Sequence, residues 1–252
     1  MTVGARSETP TRSEAAVWQR VEFGSYVADL PLWEELAGAG DRPTAELGAG
    51  AGRVALHLAR RGVRMLAIER EPELLEELDR GARAEGLAIE ALAADAADLE
   101  RTGIRIAAAL APLHLIQQID PGRRRALLGG LAGVCESGSA IGLTLVDEES
   151  LFEGGIEGGS VPDMVEIDGW VYSSEPLWVQ VGDETITVRR LRQRVAPGGE
   201  IERSVHDEVL HRLGAATLEA EAEAAGLSPR ECRPLRSGPA EADSVAVILG
   251  AR

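Results

Sequence analysis

The sequence predicts an α/β fold on an open, mainly parallel sheet, and three observations predict it. Short apolar runs bounded by turn residues alternate with helical patterns along most of the 252 residues, as parallel sheets require, because each crossover between parallel strands needs a connecting helix. The run Ala45-Glu46-Leu47-Gly48-Ala49-Gly50-Ala51-Gly52-Arg53 places three glycines on the bend between a short buried strand and a helix. The next apolar run, starting at Val63, ends in Glu69, a carboxylate at the strand tip where open α/β sheets bind ligands.

Taken in order, Met1 to Glu14 is polar and charged. It is expected to be disordered, and with no signal-peptide core it makes a cytoplasmic location the expectation. Glu14 to Leu36 turns apolar through Val17, Trp18, Val21, Phe23, Leu30, Leu32, Trp33 and Leu36. This stretch reads as one or two short helices over the strand ends, with Trp18 and Trp33 as core anchors. Arg42-Pro43-Thr44 is a turn into the first strand. From Val54 to Arg61 the pattern is helical, with Gly62 placed to stop it. Side chains on the glycine bend would keep a ligand from backbone N–H groups and from the positive helix end. Glu69 closes the second strand, and a carboxylate there can accept both hydroxyls of a ribose.

The glycine spacing selects which nucleoside. A dinucleotide fingerprint needs Gly or Ala three places after its second glycine; that place is Arg53, and the chain reads Gly-x-Gly-x-Gly instead. With Glu46 ahead of it, the motif resembles the first motif of class I S-adenosylmethionine-dependent methyltransferases, and Glu69 resembles their ribose-binding acid. The resemblance implies a Rossmann-like sheet of seven strands, mainly parallel with an antiparallel last strand, and S-adenosyl-L-methionine as cofactor. It implies a cofactor site built from Tyr26, Glu46, Gly48, Ala49, Gly50, Gly52, Arg53, Glu69, Arg70, Ala94, Asp95, Ala96, Pro112 and Gln117. Leu30-Pro31-Leu32-Trp33, Ile116-Gln117-Gln118 and Trp170-Val171-Tyr172-Ser173-Ser174 look like a bacterial group without an assigned substrate.

After Glu69, Pro72 and the acids around it start a helix whose buried stripe is Leu74, Leu75 and Leu78. Leu87, Ile89 and Ala91 alternate as a third strand leading to Asp95. Two readings of Asp95 stand: the family's acid that holds the adenine amino group, or a cap on the short helix it precedes. Ile104 to Leu110 is a near-continuous apolar run, a strand covered on both faces. The loop behind it, Ala111-Pro112-Leu113-His114, lacks the Asn/Asp/Ser-Pro-Pro-aromatic motif of DNA amino-methylating enzymes. Neither Cys135 nor Cys232 is placed for cytosine-C5 chemistry, and the absence of any Lys removes the lysine-based tetrad of RNA ribose methylation. What remains resembles the small-molecule branch. His114 is the titratable group of this loop, as a base, a substrate holder or a plain hydrogen-bonding residue. Asp120-Pro121 starts the next helix, and Ala140 to Val146 is the fifth strand. The acids behind it, Asp147-Glu148-Glu149, either neutralise an amine substrate or form a solvated loop.

Residues 151–203 depart from a minimal core, which is assigned to 15–150 and 204–252. Gly154, Gly155, Gly158 and Gly159 suggest a mobile loop. Two strand-like runs around Trp170-Val171-Tyr172 and Leu177 to Val181 follow, and Gly182-Asp183 turns into a third, Glu184 to Arg189. The expectation is an inserted antiparallel sheet that acts as a lid or as the contact of a homodimer. Trp170, Tyr172 and Trp178 then wall a substrate site, meet a second copy, or pack the added sheet onto the core. Ala215 to Ala225, Leu227 to Leu235 and Ser244 to Leu249 complete the core as a helix and two strands.

Composition bounds the function. A net charge of −16 repels phosphate backbones and argues against nucleic acid as the partner. The longest uncharged run, Ile106 to Ile119, is too short to span a bilayer. Cys135 and Cys232 are isolated thiols, read as reduced and structural, and no metal-ligand spacing is present. The expectation is methyl transfer to a small-molecule N, O or C nucleophile by in-line displacement. The alternatives are other S-adenosylmethionine chemistry or a non-catalytic cofactor-binding module; a nicotinamide dehydrogenase is disfavoured by Arg53.

Overall fold

The computed structural model describes residues 12–38, 40–153, 161–236 and 242–252. Of the disorder expected over residues 1–14, residues 1–11 lie outside the described residues, as does the expected glycine-rich mobile loop at 154–160, while Ser13 and Glu14 are ordered as the cap and first residue of a helix. Ser13 accepts the Ala16 N–H at 3.2 Å and starts α1 (Glu14–Phe23), and α2 (Leu30–Leu36) follows. The core proceeds through β1 (Thr44–Leu47), α3 (Arg53–Ala59), β2 (Met65–Glu69), α4 (Pro72–Glu85), β3 (Ile89–Ala93), a 3-10 segment (Ala96–Thr102), β4 (Ile106–Ala111), α5 (Leu115–Gln118), α6 (Pro121–Val134), β5 (Cys135–Val146) and α7 (Glu148–Glu153). Then come β6 (Asp163–Ile167), β7 (Trp170–Val181), β8 (Thr185–Val195) and β9 (Ile201–His211), and finally α8 (Ala215–Ala224), β10 (Ser228–Leu235) and β11 (Ser244–Gly250).

Seven strands form one sheet in the order β10-β11-β5-β4-β1-β2-β3. All neighbours from β5 to β3 pair in parallel, and β11 runs antiparallel to both β5 and β10. This is the class I methyltransferase arrangement. Its local causes are those a sequence encodes: Pro72 sits in the first turn of α4, Gly86 ends that helix at φ +67°, and Asp120 caps α6 through the Gly122 and Arg123 N–H groups. Two apolar layers enclose the sheet. Leu127, Leu128 and Leu131 of α6 pack on one face with Leu218 of α8. Val54 and Leu58 of α3, Leu75 and Leu78 of α4 and Trp33 of α2 pack on the other.

The remaining four strands form a separate antiparallel sheet in the order β6-β7-β8-β9. Two expectations about it need correction. The runs on either side of Pro176 are a single strand, because Pro176 stays in register opposite Arg190 and the one-residue shift at Leu177 lets the pairing resume at Trp178. The sheet also extends to His211, past the boundary expected at Arg203. It joins the rest of the protein in two places. Ile167 and Tyr172 pack against Val17, Trp18 and Val21 of α1, while Ile186 and Leu210 pack against Val146.

Candidate active site

The strand order brings four tips side by side. Pro112 and Leu113 follow β4, the glycine bend follows β1, Glu69 ends β2, and Ala94 and Asp95 follow β3; all line one cleft of about 710 Å³. The bend needs glycine, since Gly48, Gly50 and Gly52 have φ of +63°, +54° and +92°. Space is short as well. A Cβ on Gly48 would lie 2.9 Å from Leu115, and one on Gly50 would lie 2.2 Å from the Gln19 side chain of α1.

That neighbour corrects the expectation of backbone N–H groups left open for a ligand. The Gly50 N–H donates to Glu69 Oε2 at 3.0 Å, and the Ala51 N–H donates to Gln19 Oε1 at 2.9 Å. Glu69 Oε1 accepts two more N–H groups, from Arg70 at 2.8 Å and Glu71 at 3.0 Å. The carboxylate thus braces the bend and still faces the cleft. Glu46, buried on the cleft floor, accepts the Ala55 N–H of α3 at 2.7 Å. Burial pushes its carboxyl up to about 8, against the pull of Arg53 and the Ala55 N–H. Asp95 caps the short helix it precedes, accepting the Ala97 N–H at 2.9 Å, and it also lines the cleft and pairs with Arg123 at 2.9 Å. Ala49, Arg70, Ala96 and Pro112 also line the cleft, as expected.

Other expected residues stand elsewhere. Arg53 borders the cleft, but its guanidinium turns to Asp29 (2.7 and 2.6 Å) and to the Tyr26 carbonyl (2.9 Å), with the Tyr26 ring 5.2 Å from it. Tyr26 is outside the lining and serves as this arginine's platform. Gly52 is also outside it; a Cβ there would lie 2.7 Å from Leu78, so its role is to let α3 approach α4. His114 turns away because Leu113 and His114 both adopt positive φ (+52° and +58°), and its Nε2 meets Ser244 Oγ at 2.8 Å. Burial lowers the imidazole to about 4, which suits a neutral structural hydrogen-bonding group. Gln117 is fully buried, accepts the Val146 N–H at 2.7 Å and donates to the His211 carbonyl at 3.4 Å. Its neighbour Gln118 is the one that lines the cleft.

The aromatic residues of the inserted sheet do not line the cleft either. Tyr172 is buried edge-on against Trp18 and stacks with Trp170, while Trp178 lies under the Arg189 guanidinium. Tyr172 and Trp170 attach the sheet to α1, which was the packing alternative, whereas Trp178 packs only within the sheet's own surface. The acids behind β5 line a different depression, where Glu148 pairs with Arg212 at 2.7 Å.

No residue of the inserted sheet lines the cleft; beside it, the sheet's contacts to α1 and α5 are polar. Glu22 of α1 accepts from Ser174 (2.7 Å) and from both ends of Arg192 (2.8 Å each), and Arg190 bonds Asp163 (2.5 Å) and Ser174 (2.9 Å). Burial works against the charge on Glu22, yet the Arg192 and Ser174 donors outweigh it and hold the carboxyl below its usual range. Glu208 of β9 accepts from Gln118 Nε2 at 3.4 Å, and the same amide donates to the Leu113 carbonyl at 3.3 Å. Sequence reasoning missed Gln19, Glu22 and Glu208. The polar side of α1 hinted at the first two; nothing local marked the last.

With this geometry described, the chain can be compared with known proteins. A family model described as a methyltransferase domain matches residues 45–138. No curated protein sequence matches. The fold is similar to that of the sugar N-methyltransferase KedS8 from Streptoalloteichus sp ATCC 53650 (TM-score 0.74, 16% identity, 100% of this chain and 99% of that one). It is also similar to an S-adenosylmethionine-dependent methyltransferase from Clostridium acetobutylicum ATCC 824 (TM-score 0.71, 13% identity, 94% and 97%). A third is the CcbJ methyltransferase from Streptomyces caelestis (TM-score 0.67, 21% identity, 91% and 98%).

Proposed function

We propose that the chain uses S-adenosyl-L-methionine to transfer a methyl group to a nitrogen, oxygen or carbon nucleophile of a small polar molecule, a reading supported by the methyltransferase-domain match over residues 45–138 and by similarly folded S-adenosylmethionine-dependent methyltransferases. The observation that carries this reading is the set of four strand tips, with Glu69, Asp95 and Pro112 around one glycine bend, opening onto a single cleft. The residues present fit the cofactor. About 710 Å³ falls in the range of small-molecule sites, and Glu69 Oε2, which takes one N–H donor, keeps capacity for a ribose hydroxyl. Asp95, with Ala94 and Ala96, would take the adenine end. Glu46, Gly48 and Ala49 would take the amino-acid end.

When bound, S-adenosylmethionine supplies an electrophilic methyl group on a positively charged sulfur. The protein's share is alignment and exclusion of water, which such a displacement needs more than a covalent nucleophile. Helix α1 roofs the bend through Gln19, and Gln118 with Leu113 borders the far end beside the inserted sheet. A small polar acceptor is further supported by the names of two similar folds, the sugar N-methyltransferase KedS8 and the amino pentose methyltransferase CalS10. No helix among the described residues is long and apolar enough to cross a membrane, and we place the reaction in the cytoplasm. Calorimetry with S-adenosylmethionine, S-adenosylhomocysteine and NAD tests the reading. The first two should bind and the third should not; NAD binding without S-adenosylhomocysteine binding overturns it.

A further inference from the structure

We propose that Glu208 is the residue that receives the acceptor, and that the acceptor presents an amine to it; this rests on the methyl-transfer reading above. Placement comes first. Strand β9 packs against α5, with the Gln117 amide on the His211 carbonyl and the Gln118 amide on Glu208. Gln118 also binds the carbonyl of Leu113, just past the tip of β4. A ligand with its ribose at Glu69 on β2 that extends across the tip of β1 therefore points its far end at Leu113 and Gln118 beside the tip of β4, and Glu208 stands directly behind Gln118, outside the cleft's lining.

Charge accounting is the second argument. On this face Glu22 is matched by Arg192, Arg190 and Ser174, and Arg190 is matched again by Asp163. Glu208 stands apart. Its cross-strand neighbour on β8 is Val188, and among the described residues its hydrogen bond is a long one from a neutral amide. A half-buried carboxyl so placed favours a cationic partner that donates hydrogen bonds. Burial, and then Glu22, shift its proton affinity upward, against Arg190 and Arg192; His206, lowered by burial, stands two residues away on the same strand.

An ammonium group supplies that partner and carries the proton that must leave before its nitrogen can react. The Glu208 carboxylate accepts one N–H proton, which leaves the lone pair on nitrogen. The nitrogen then forms the N–C bond to the methyl group as the C–S bond breaks. The bonding pair of that bond stays on sulfur, giving a neutral thioether and an N-methylammonium product.

The test uses the full chain and a panel of 2-amino- and 3-amino-deoxyhexoses with their all-hydroxyl counterparts. Binding is measured by calorimetry with S-adenosylhomocysteine present, and turnover is followed from pH 6 to 9 with S-adenosylmethionine. The wild type should prefer amine to hydroxyl. Glu208→Gln should keep S-adenosylhomocysteine affinity, lose kcat/KM for the amine on the order of 100-fold, and lose the acid limb of the pH profile. Glu208→Asp should recover part of the loss. A Glu208→Gln protein that methylates the amine like wild type overturns the assignment. So does a wild type that holds S-adenosylhomocysteine and takes no amine over its hydroxyl counterpart. Failure to bind S-adenosylhomocysteine at all overturns instead the methyl-transfer reading beneath it.

Discussion

Two carboxyls show how one residue type serves different purposes in one cleft. Glu69 accepts three backbone N–H groups and borders the cleft, so Glu69→Ala should both loosen the bend and weaken the cofactor. Each charge-assisted bond to a ribose hydroxyl is worth roughly 1.5–3 kcal/mol, so S-adenosylhomocysteine affinity should fall by at least about tenfold. Titration calorimetry checks this, and unchanged binding would remove Glu69 from the ribose site. Glu46 is a matter of protons. Its folded-state value of about 8 exceeds its ordinary 4.5, so the folded protein holds a proton that the unfolded chain has released. Stability from this group is complete below pH 4.5 and is lost as pH rises towards 8. The window from pH 6.5 to 8 isolates it, because His114, lowered from 6.5 to about 4, acts at lower pH. Glu46→Gln keeps an acceptor for the Ala55 N–H and should flatten the fall in melting temperature across that window.

Among the elements, the turn between α1 and α2 is held to α3 by a compact ion pair. Asp29 is buried, receives both guanidinium nitrogens of Arg53, and also accepts the Trp33 indole N–H at 2.7 Å. Removing one partner leaves a largely buried charge, so Asp29→Ala should cost about 3 kcal/mol, read from urea unfolding. The sequence around this joint also shows what was legible and what was not. The core strands could be read because strands covered on both faces are continuously apolar, as Ile106–Ala111 is, and helix ends could be read from Pro72, Gly86 and Asp120. The glycine bend and Glu69 were legible because their spacing is local. Arg53 was read as a ligand contact because Asp29, its partner, lies 24 positions away, and no local pattern encodes that pairing. His114 and Gln117 were placed in the right loop but given the wrong direction, since two successive left-handed residues, Leu113 and His114, leave no mark in a Leu-His pair. Glu22 meets Arg192 across 170 positions, and only the folded chain brings them together.

At the scale of the molecule, the inserted sheet uses its aromatic residues unequally. Trp170 backs the Tyr172–Trp18 contact, whereas Trp178 sits beneath Arg189, which pairs with Asp207 on an exposed part of the sheet. Trp170→Ala should therefore lower acceptor turnover severalfold with S-adenosylhomocysteine affinity kept, while Trp178→Ala should leave both near wild type. A dimer built on this sheet would instead use the exposed Ile201, Val205 and Val209 of β9, and light scattering of the two variants separates loss of turnover from loss of a partner copy. Helix α1 carries the larger consequence. It reaches the glycine bend through Gln19 and the inserted sheet through Trp18 and Glu22, so one short helix is gripped on two faces, beside the cofactor cleft on one and beside the proposed acceptor site on the other. Occupancy of either site then reports on the other, and linkage requires the two affinities to change by the same factor. Calorimetric titration of each ligand in the presence of the other measures that factor, and Gln19→Ala, which releases one grip, should bring it towards one.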